Sequence, residues 1–468
     1  MVKLEGKRVL VIGLARSGQA VAHFLAGKGA RVTGIDIKQE ADLDTEPLNE
    51  LRALSVDLRT GVYPEVRVGQ YDLAVISPGV PLTIPPVVAA ERLGVPVWSE
   101  LELAARFVKE PIVAVTGTNG KTTTTALAGY IFQQAGRQAL VAGNIGIPLI
   151  GEVERSSRQG FEVDCWILEV SSFQLECSFE FHPHIAVFLN LTPDHLDRHT
   201  TVAEYGGVKA KIFANQGPGD LAVLNLDDPW VSGQIHGLAA KEYWFSTQRV
   251  PAGGIGVADG DIVYESGGVR KVLCPVEKVR IPGRHNLENA LAAAAAALLS
   301  GIDRQTIADA LSTFPGVPHR LEPAGVVGGV KYVNDSKGTN PESVLKALDS
   351  FEEPIILIAG GKPKGSDFNI LAGRIRDRVK ALILLGQAAP QIEQAVRATG
   401  YTAIWKETGL EECVRTAARL AAPGDLVLLS PACASWDMFR DYEERGDLFK
   451  KLVQKIGDEQ KVMSDEWQ

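Results

Sequence analysis

The sequence predicts an α/β protein of three domains, each built on a mostly parallel sheet. Three observations lead there: short runs rich in Val, Ile and Leu recur along the chain, helical stretches alternate with them, and many of the runs end in Gly, Ser, Asn, Lys or an acid. Strands buried on both faces read as unbroken apolar runs, and in such sheets ligands sit beyond the carboxyl ends of the strands. At 468 residues the chain is too long for one core. Composition shifts place the domains at 1–98, 99–316 and 317–468.

The first segment reads strand, glycine turn, helix, strand: RVLVIGLARSG leads into QAVAHFLAGKG, and RVTGID follows, ending at Asp36. That is a Rossmann-like unit. Gly13 and Gly18 match the first and third glycines of a dinucleotide fingerprint, but Ala15 stands where a second glycine lets backbone approach a pyrophosphate, so a nicotinamide cofactor is not expected. A further strand, YDLAVISPG, ends in Ser77-Pro78-Gly79. Pro96 and the return to helix at Ser99 mark the boundary.

The central segment opens on IVAVTGTNGKTTTT, Ile112 to Thr125. An apolar strand meets a helix through a glycine turn carrying Lys121, which is phosphate-binding architecture: freed backbone amides, a helix N-terminus and an ammonium converge. The Thr122 hydroxyl is placed for Mg2+. The ordinary P-loop has four residues between its first glycine and the Gly-Lys pair, whereas only Thr118 and Asn119 separate Gly117 from Gly120. The alternating strands QALVAGN, CWILEVSS, HIAVFLNLT and DLAVLNLDD follow, so Asn144, Glu169, Ser171, Asn190, Asp194, His195 and Asp227 are expected to ring one site. Glu169 ends an apolar strand and reads as a Mg2+ ligand or, failing that, as an edge charge. His195, within PDHLDRH, reads as a metal contact or as part of a capped helix start. After short hairpins, GRHNLENALAAAAAALLSG reads as a capped, buried helix ended by Gly301, with Asn286 and Asn289 three apart on one face of its first turn and able to meet the edge of a base.

The third segment alternates again: KYVNDSKGTN, PIILIAGGKPKGSDF, ALILLG and DLVLLSPACASWDMF. It reads as a second Rossmann-like domain. The net charge of −9 and the lack of a basic stripe argue against a nucleic-acid partner. Five scattered cysteines form no paired motif, no signal-peptide pattern precedes RVLVIG, and the most apolar stretch, Ala290 to Leu299, is short of a membrane span. A cytoplasmic, membrane-free protein is expected.

The shortened loop TGTNGKTT and the GRHNLENALAA helix resemble the Mur ligases, to which folylpolyglutamate synthases are related. LEVSSFQLE, NLTPDHLDRH, FPGVPHRLE, NDSKGTN and SPACASWDMF together resemble the Mur ligases that add D-glutamate, and the likeness spans nearly the whole chain. The resemblance implies an ATP-dependent ligase in peptidoglycan precursor synthesis, joining D-glutamate to UDP-N-acetylmuramoyl-L-alanine through an acyl phosphate, and acting as a monomer. ATP would be held by Gly117, Thr118, Asn119, Gly120, Lys121, Thr122 and Thr123, with adenine at Asn286 and Asn289, phosphate at Arg320 and ribose at Asp335. Thr122 and Glu169 would share one Mg2+. A second would be held by His195 and a carbamylated lysine, placed at Lys209 and not at Lys211 by the spacing from Tyr205 in EYGGVKAKIF. Lys337, Thr339, Lys364, Ser435 and Tyr442 match the reaction centre and the D-glutamate site. Asn144 and Ser171 match residues near the muramoyl-alanine portion, and Ser17, Asp36 and Ser77 the uridine diphosphate end. Ile37, Lys362 and Tyr442 depart from the commoner residues there. The rival functions are another amino-acid-adding ligase of the same type, opposed by LEVSSFQLE and the Rossmann-like first domain, and a nicotinamide-dependent oxidoreductase, opposed by Ala15. A P-loop NTPase switch would leave NDSKGTN and SPACAS without a role.

Overall fold

In the computed structural model, which describes residues 2–43, 45–195, 198–363 and 367–465, the apolar runs form three sheets. The first contains β1 (Arg8–Ile12), β2 (Arg31–Asp36), β3 (Asp57–Thr60), β4 (Leu73–Ile76) and β5 (Val97–Ser99), interleaved with α1 (Arg16–Gly27), α2 (Thr45–Ala53) and α3 (Pro85–Arg92). All its pairings are parallel, in the order β3-β2-β1-β4-β5. The order reverses beside β1, where an open α/β sheet presents its crevice. There α1 starts so close to the β1 turn that a Cβ on Gly18 would lie 1.7 Å from the Gly13 carbonyl oxygen. Only glycine fits, so Gly13 and Gly18 have a packing reason independent of any dinucleotide.

Ser99 closes β5 and caps α4 (Glu100–Ala105), accepting the Glu102 amide at 3.1 Å. The central sheet then takes β6 (Ile112–Thr116), β7 (Ala139–Gly143), β8 (Cys165–Glu169), β9 (Ile185–Phe188), β10 (Leu221–Asn225), β11 (Lys241–Ser246), β12 (Ile255–Ala258), β13 (Asp261–Ser266) and β14 (Val269–Pro275). Its order is β14-β13-β12-β11-β10-β9-β6-β8-β7, parallel except for the β12–β13–β14 hairpins. The helices are α5 (Lys121–Gln134), α6 (Leu149–Gln159), α7 (Ser172–Glu176), α8 (Val202–Ala210), α9 (Pro229–Gln234), α10 (Arg284–Leu299) and α11 (Arg304–Thr313). In α10 the alanines from Ala290 to Ala297 are at most 1% exposed, as an all-round apolar helix must be.

The third sheet holds β15 (Glu322–Val327), β16 (Val330–Asn334), β17 (Ile355–Gly360), β18 (Val379–Leu385), β19 (Ile404–Lys406) and β20 (Leu426–Leu429) in the order β15-β16-β20-β17-β18-β19, with only β15–β16 antiparallel. Around it lie α12 (Pro341–Leu348), α13 (Asn369–Arg378), α14 (Ala389–Arg397), α15 (Leu410–Leu420) and α16 (Tyr442–Asp465).

The described chain falls into two compact units, one of residues 1–279 with 287–314, the other of 280–286 with 315–468. The first and central sheets share the first unit, whose core runs from Val9, Leu14 and Val21 to Leu149, Ile150 and Val153 without a break. Among the described residues no helix is long and apolar enough to cross a membrane.

Candidate active site

β6 lies between β8 and β9 with Val113, Ala114 and Val115 buried, so the loop leaving it is anchored on both sides. Gly117 and Gly120 have φ of 147° and 85°. At Gly120 glycine is needed twice over: it caps α5 in the left-handed region, and a Cβ there would sit 2.2 Å from Asn289 Oδ1. Asn190 clamps the loop. Its Oδ1 accepts the Asn119 amide at 2.9 Å, its Nδ2 donates to the Asn119 carbonyl at 3.1 Å, and its carbonyl accepts the Thr118 amide at 2.9 Å. Thr118 Oγ1 donates to the Thr192 carbonyl at 3.1 Å, a partner that the sequence did not single out. No side chain caps α5, which leaves its first-turn amides facing the loop, the arrangement that binds anions.

Two lysines converge on this loop. Lys121 Nζ donates to the carbonyls of Gly117 and Thr118, both at 2.8 Å, and Lys209 Nζ donates to Gly117 at 2.9 Å. Lys209 is 1% exposed on α8, with its Nζ 4.6 Å from the centre of the Tyr205 ring. Burial, and then the charge of Lys121, hold its ammonium well below the usual lysine range, while Asp194 and Glu169 pull the other way. Lys211 points elsewhere, donating to the Glu176 carbonyl at 2.9 Å.

Glu169 ends β8, is 3% exposed, and accepts Asn144 Nδ2 at 2.8 Å through Oε1. Its Oε2 is buried and makes no hydrogen bond among the described residues. Thr122 and Thr123 are buried at the start of α5. His195 is half exposed, in a left-handed backbone conformation (φ 52°), and packs edge-on against Phe173 with ring centres 4.8 Å apart. It borders a cleft of about 640 Å³ with Gly79, Thr83, Phe173, Arg198 and Lys211. Among the described residues no group of three His, Cys, Asp or Glu side chains is already arranged around a cation.

The residues assigned to the substrate are in part engaged by their own backbone. Ser171 caps α7 in a reciprocal box with Gln174. Asp36 Oδ2 accepts the Leu14 amide at 2.7 Å and its Oδ1 the Lys38 amide at 2.9 Å, while Ser77 Oγ donates to the Gly13 carbonyl at 2.9 Å. Asp36 and Ser77 therefore meet at the β1 turn, beside Ser17 on the first turn of α1. Asp227, expected in the ring, is occupied with Ser246 and Thr247 at the end of β11. Asn289 Oδ1 accepts Thr124 Oγ1 at 3.2 Å.

In the second unit Asn286 Nδ2 donates to the Pro282 carbonyl at 2.6 Å. Asp335 follows β16 and is buried, with Oδ2 accepting Ser430 Oγ at 2.6 Å. Burial pushes its carboxyl up to about 6, against the opposing effects of the Ser430 hydroxyl and the Arg320 charge. Arg320 Nε is buried and makes no hydrogen bond among the described residues. Lys337 Nζ lies 5.4 Å from the centre of the Tyr442 ring, Thr339 is half-buried two residues on, and Ser435 is buried. Lys364 lies outside the described residues. The sequence reading missed Arg445. It is 1% exposed and donates to Ser336 Oγ at 2.9 Å, to the Ser336 carbonyl at 2.8 Å and to the Cys433 carbonyl at 3.4 Å, tying NDSKGTN to SPACAS. Burial lowers its guanidinium to about 10.

Fold and loop together define a Mur ligase. Residues 7–99 match the Mur ligase MurD-like N-terminal domain, 115–297 the Mur ligase middle domain, and 319–433 the Mur ligase glutamate ligase domain. The chain is 54% identical over 447 residues to the UDP-N-acetylmuramoylalanine--D-glutamate ligase of Pelotomaculum thermopropionicum, covering 96% of this chain and 97% of the relative. In fold it is similar to a UDP-N-acetylmuramate-alanine ligase of Thermotoga maritima (TM-score 0.59, 21% identity, 96% of this chain and 99% of the other). It is also similar to a MurF ligase of Thermotoga maritima in complex with ADP (TM-score 0.58, 15% identity, 97% and 100%). The chain belongs to the Mur ligase family, among the UDP-N-acetylmuramoylalanine--D-glutamate ligases.

Proposed function

We propose that this enzyme joins D-glutamate to UDP-N-acetylmuramoyl-L-alanine at the expense of ATP, as a cytoplasmic monomer in peptidoglycan precursor synthesis. The observation that carries the reading is the loop itself: Gly117 to Lys121, clamped by Asn190, opens next to a buried Glu169 oxygen that makes no hydrogen bond among the described residues. Residues 1–98 bind the UDP-linked substrate, 99–316 ATP, and 317–468 the incoming amino acid.

A carboxylate is a poor electrophile, and phosphorylation by ATP turns it into an acyl phosphate that the amine of D-glutamate can attack. Lys121, the Gly120 amide and the uncapped first-turn amides of α5 neutralise the charge that spreads over the transferred phosphoryl group. Thr123 adds a hydroxyl beside them, and Asn286 and Asn289 hold the adenine. Arg320, whose buried Nε makes no hydrogen bond among the described residues, meets ATP phosphate, and Asp335 meets the ribose.

The residues fit two Mg2+ ions. The Glu169 oxygen that has no hydrogen bond among the described residues suits one with Thr122, and His195 with Lys209 the other, once Lys209 is carbamylated. Mg2+ would supply charge neutralisation at the phosphoryl oxygens. Carbamylation needs a neutral amine, and burial and then the charge of Lys121 both favour that form at Lys209. Asn144 and Ser171 contact the muramoyl-alanine portion, Ser17, Asp36 and Ser77 the uridine diphosphate. Lys337, Thr339, Lys364, Ser435 and Tyr442 receive D-glutamate, and Arg445 holds the two loops that carry most of them.

The test is phosphate release with UDP-N-acetylmuramoyl-L-alanine and each candidate amino acid in turn. Release that requires D-glutamate is expected. Release supported equally by L-alanine or a diamino acid would overturn the assignment.

A further inference from the structure

β9 and β10 pair in parallel as far as Phe188 and Leu224. Beyond that point β10 turns away, and the Leu226 amide donates to the Phe245 carbonyl of β11 at 2.9 Å. Leu189, Asn190 and Leu191 run on past the end of β9, and the two leucines are buried, so their backbone groups on the β10 side need partners. Two side chains supply them. Asn225, 2% exposed at the last position of β10, donates from Nδ2 to the Leu189 carbonyl at 2.8 Å. Asp228 accepts the Leu191 amide at 3.1 Å through Oδ2, while its Oδ1 caps α9 by accepting the amides of Trp230 at 3.0 Å and Val231 at 2.8 Å. The Asn225 side chain is held the right way round, because its Oδ1 accepts the Asp227 amide at 2.9 Å.

The residue between these two bonds is Asn190, which holds the phosphate loop at Thr118 and Asn119. The packing between the two segments is tight: a Cβ on Gly117 would lie 3.0 Å from Leu189 Cβ and 3.2 Å from the Asn190 amide nitrogen. A shift of the Leu189–Leu191 backbone therefore carries Asn190 with it and displaces the loop, together with Gly120 and the uncapped start of α5. Further ladder bonds to β10 would have satisfied the same two backbone groups. The chain instead fastens Asn190 to the turn after β10 and to the first turn of α9, so the clamp on the phosphate loop has a fixed support of its own.

We propose that Asn225 and Asp228 are positioning residues for the ATP phosphates, holding Asn190, and through it the phosphate loop, from the end of β10. This rests on the ligase reading above. Asp228→Asn and Asp228→Ser each keep an oxygen to cap α9 but lose the one that receives Leu191, and Asn225→Leu removes the bond to Leu189 at nearly constant shape. In all three the ATP KM and the Kd for ADP are expected to rise about tenfold, the worth of roughly one hydrogen bond, with the KM values for UDP-N-acetylmuramoyl-L-alanine and D-glutamate within about twofold of the parent. Ser232→Ala is the control. It removes a bond within α9 itself, from Ser232 Oγ to the Asp228 carbonyl at 2.8 Å, and leaves Asp228 Oδ2 on Leu191, so all four constants stay parent-like. A parent-like ATP KM and ADP Kd in the two Asp228 variants, or an equal rise in all three KM values, would overturn the proposal. If Asn225→Leu does not yield folded protein, the Asp228 variants decide the matter alone. A parent enzyme that binds ADP but releases no phosphate with D-glutamate would instead sink the ligase reading, and the ADP Kd would still decide the positioning role, so the two failures are distinguishable.

Discussion

Replacing Gly120 by alanine tests the phosphate loop at the one atom where its geometry is tightest. A left-handed φ of 85° costs an L-residue ~1–2 kcal/mol. The new methyl would also fall 2.2 Å from Asn289 Oδ1 and 3.3 Å from Leu189 Cδ1, so Asn289 must move, breaking its bond from Thr124 Oγ1 at a cost of ~1 kcal/mol. The sum is ~2–3 kcal/mol, which in a protein of this size lowers Tm by ~2–3 °C. Where the loop moves to relieve the clash, the amides aimed at phosphate move with it, and the ATP KM is expected to rise about tenfold or more. Gly136→Ala is the control. Its φ is 72°, but no atom lies within 4 Å of the added methyl, so it carries the backbone cost alone and leaves the ATP KM unchanged. Thermal melts and phosphate-release kinetics on the two variants separate the terms. Indistinguishable Tm and ATP KM values for Gly120→Ala and Gly136→Ala would refute the reasoning.

Lys121→Ala is expected to lose roughly 100-fold or more in kcat with little change in Tm, since it removes a donor used in the transition state; near-normal turnover would move the phosphate site elsewhere. Glu169→Ala should shift the Mg2+ titration to higher concentration, and a titration overlaying that of the parent would remove Glu169 from the metal. Lys209→Ala should lose activity that a short-chain carboxylic acid in the buffer partly restores, while Lys211→Ala stays mild; failure of every such acid to rescue would count against the carbamate. Glu100 is held up to about 7 from an ordinary 4.5, so the folded state binds its proton more tightly and stability from this group is lost as pH rises from 4.5 to 7. The loss amounts to ~3 kcal/mol at most, and Glu100→Gln should flatten it. Parallel Tm–pH curves for parent and variant would exclude that.

Most of the sheet was legible because its strands are buried on both faces. IVAVT, CWILE, IAVF and LAVLN are wholly or almost wholly buried, and they read as unbroken apolar runs. The strands that escaped, β3, β5, β11, β15 and β19, are short or lie partly in solvent; DLRT alternates exposed and half-exposed residues and IWK has no buried residue. In the candidate site, Lys121 was legible as the lysine opening a helix after a glycine turn, and Glu169 and Asn190 as polar residues at strand ends. The hydrogen bonds of Ser171 and Asp36 were not, because a helix-cap serine and a turn-holding aspartate look like ligand contacts until the backbone amides they engage are seen. Arg445 and Glu100 were illegible for a related reason. A charged residue on a helix reads as a solvent face, and only the neighbouring elements turn it inward.

Lys209 and Lys121 together explain why this site holds a lysine that is hard to keep charged. Both ammonium groups lie within hydrogen-bond distance of one oxygen, that of Gly117, at 2.9 and 2.8 Å. Two like charges so close repel by several kcal/mol at an intermediate dielectric, and the deeper group gives up its proton first because burial already disfavours its charge. Lys209 is that group, at 1% exposure against the part-buried Lys121. As a neutral amine it still donates to Gly117, so the observed bond survives deprotonation. The same neutral amine is the form that would add CO2 under the proposed modification, and addition would put an anion where a charged lysine would repel Lys121. A carbamate keeps one N–H on Nζ, so after modification the bond to the Gly117 carbonyl could persist with the carboxylate oxygens turned away from it. The proposed modification of Lys209 would therefore leave the Gly117 bonds of both lysines in place and turn the repulsion between them into attraction.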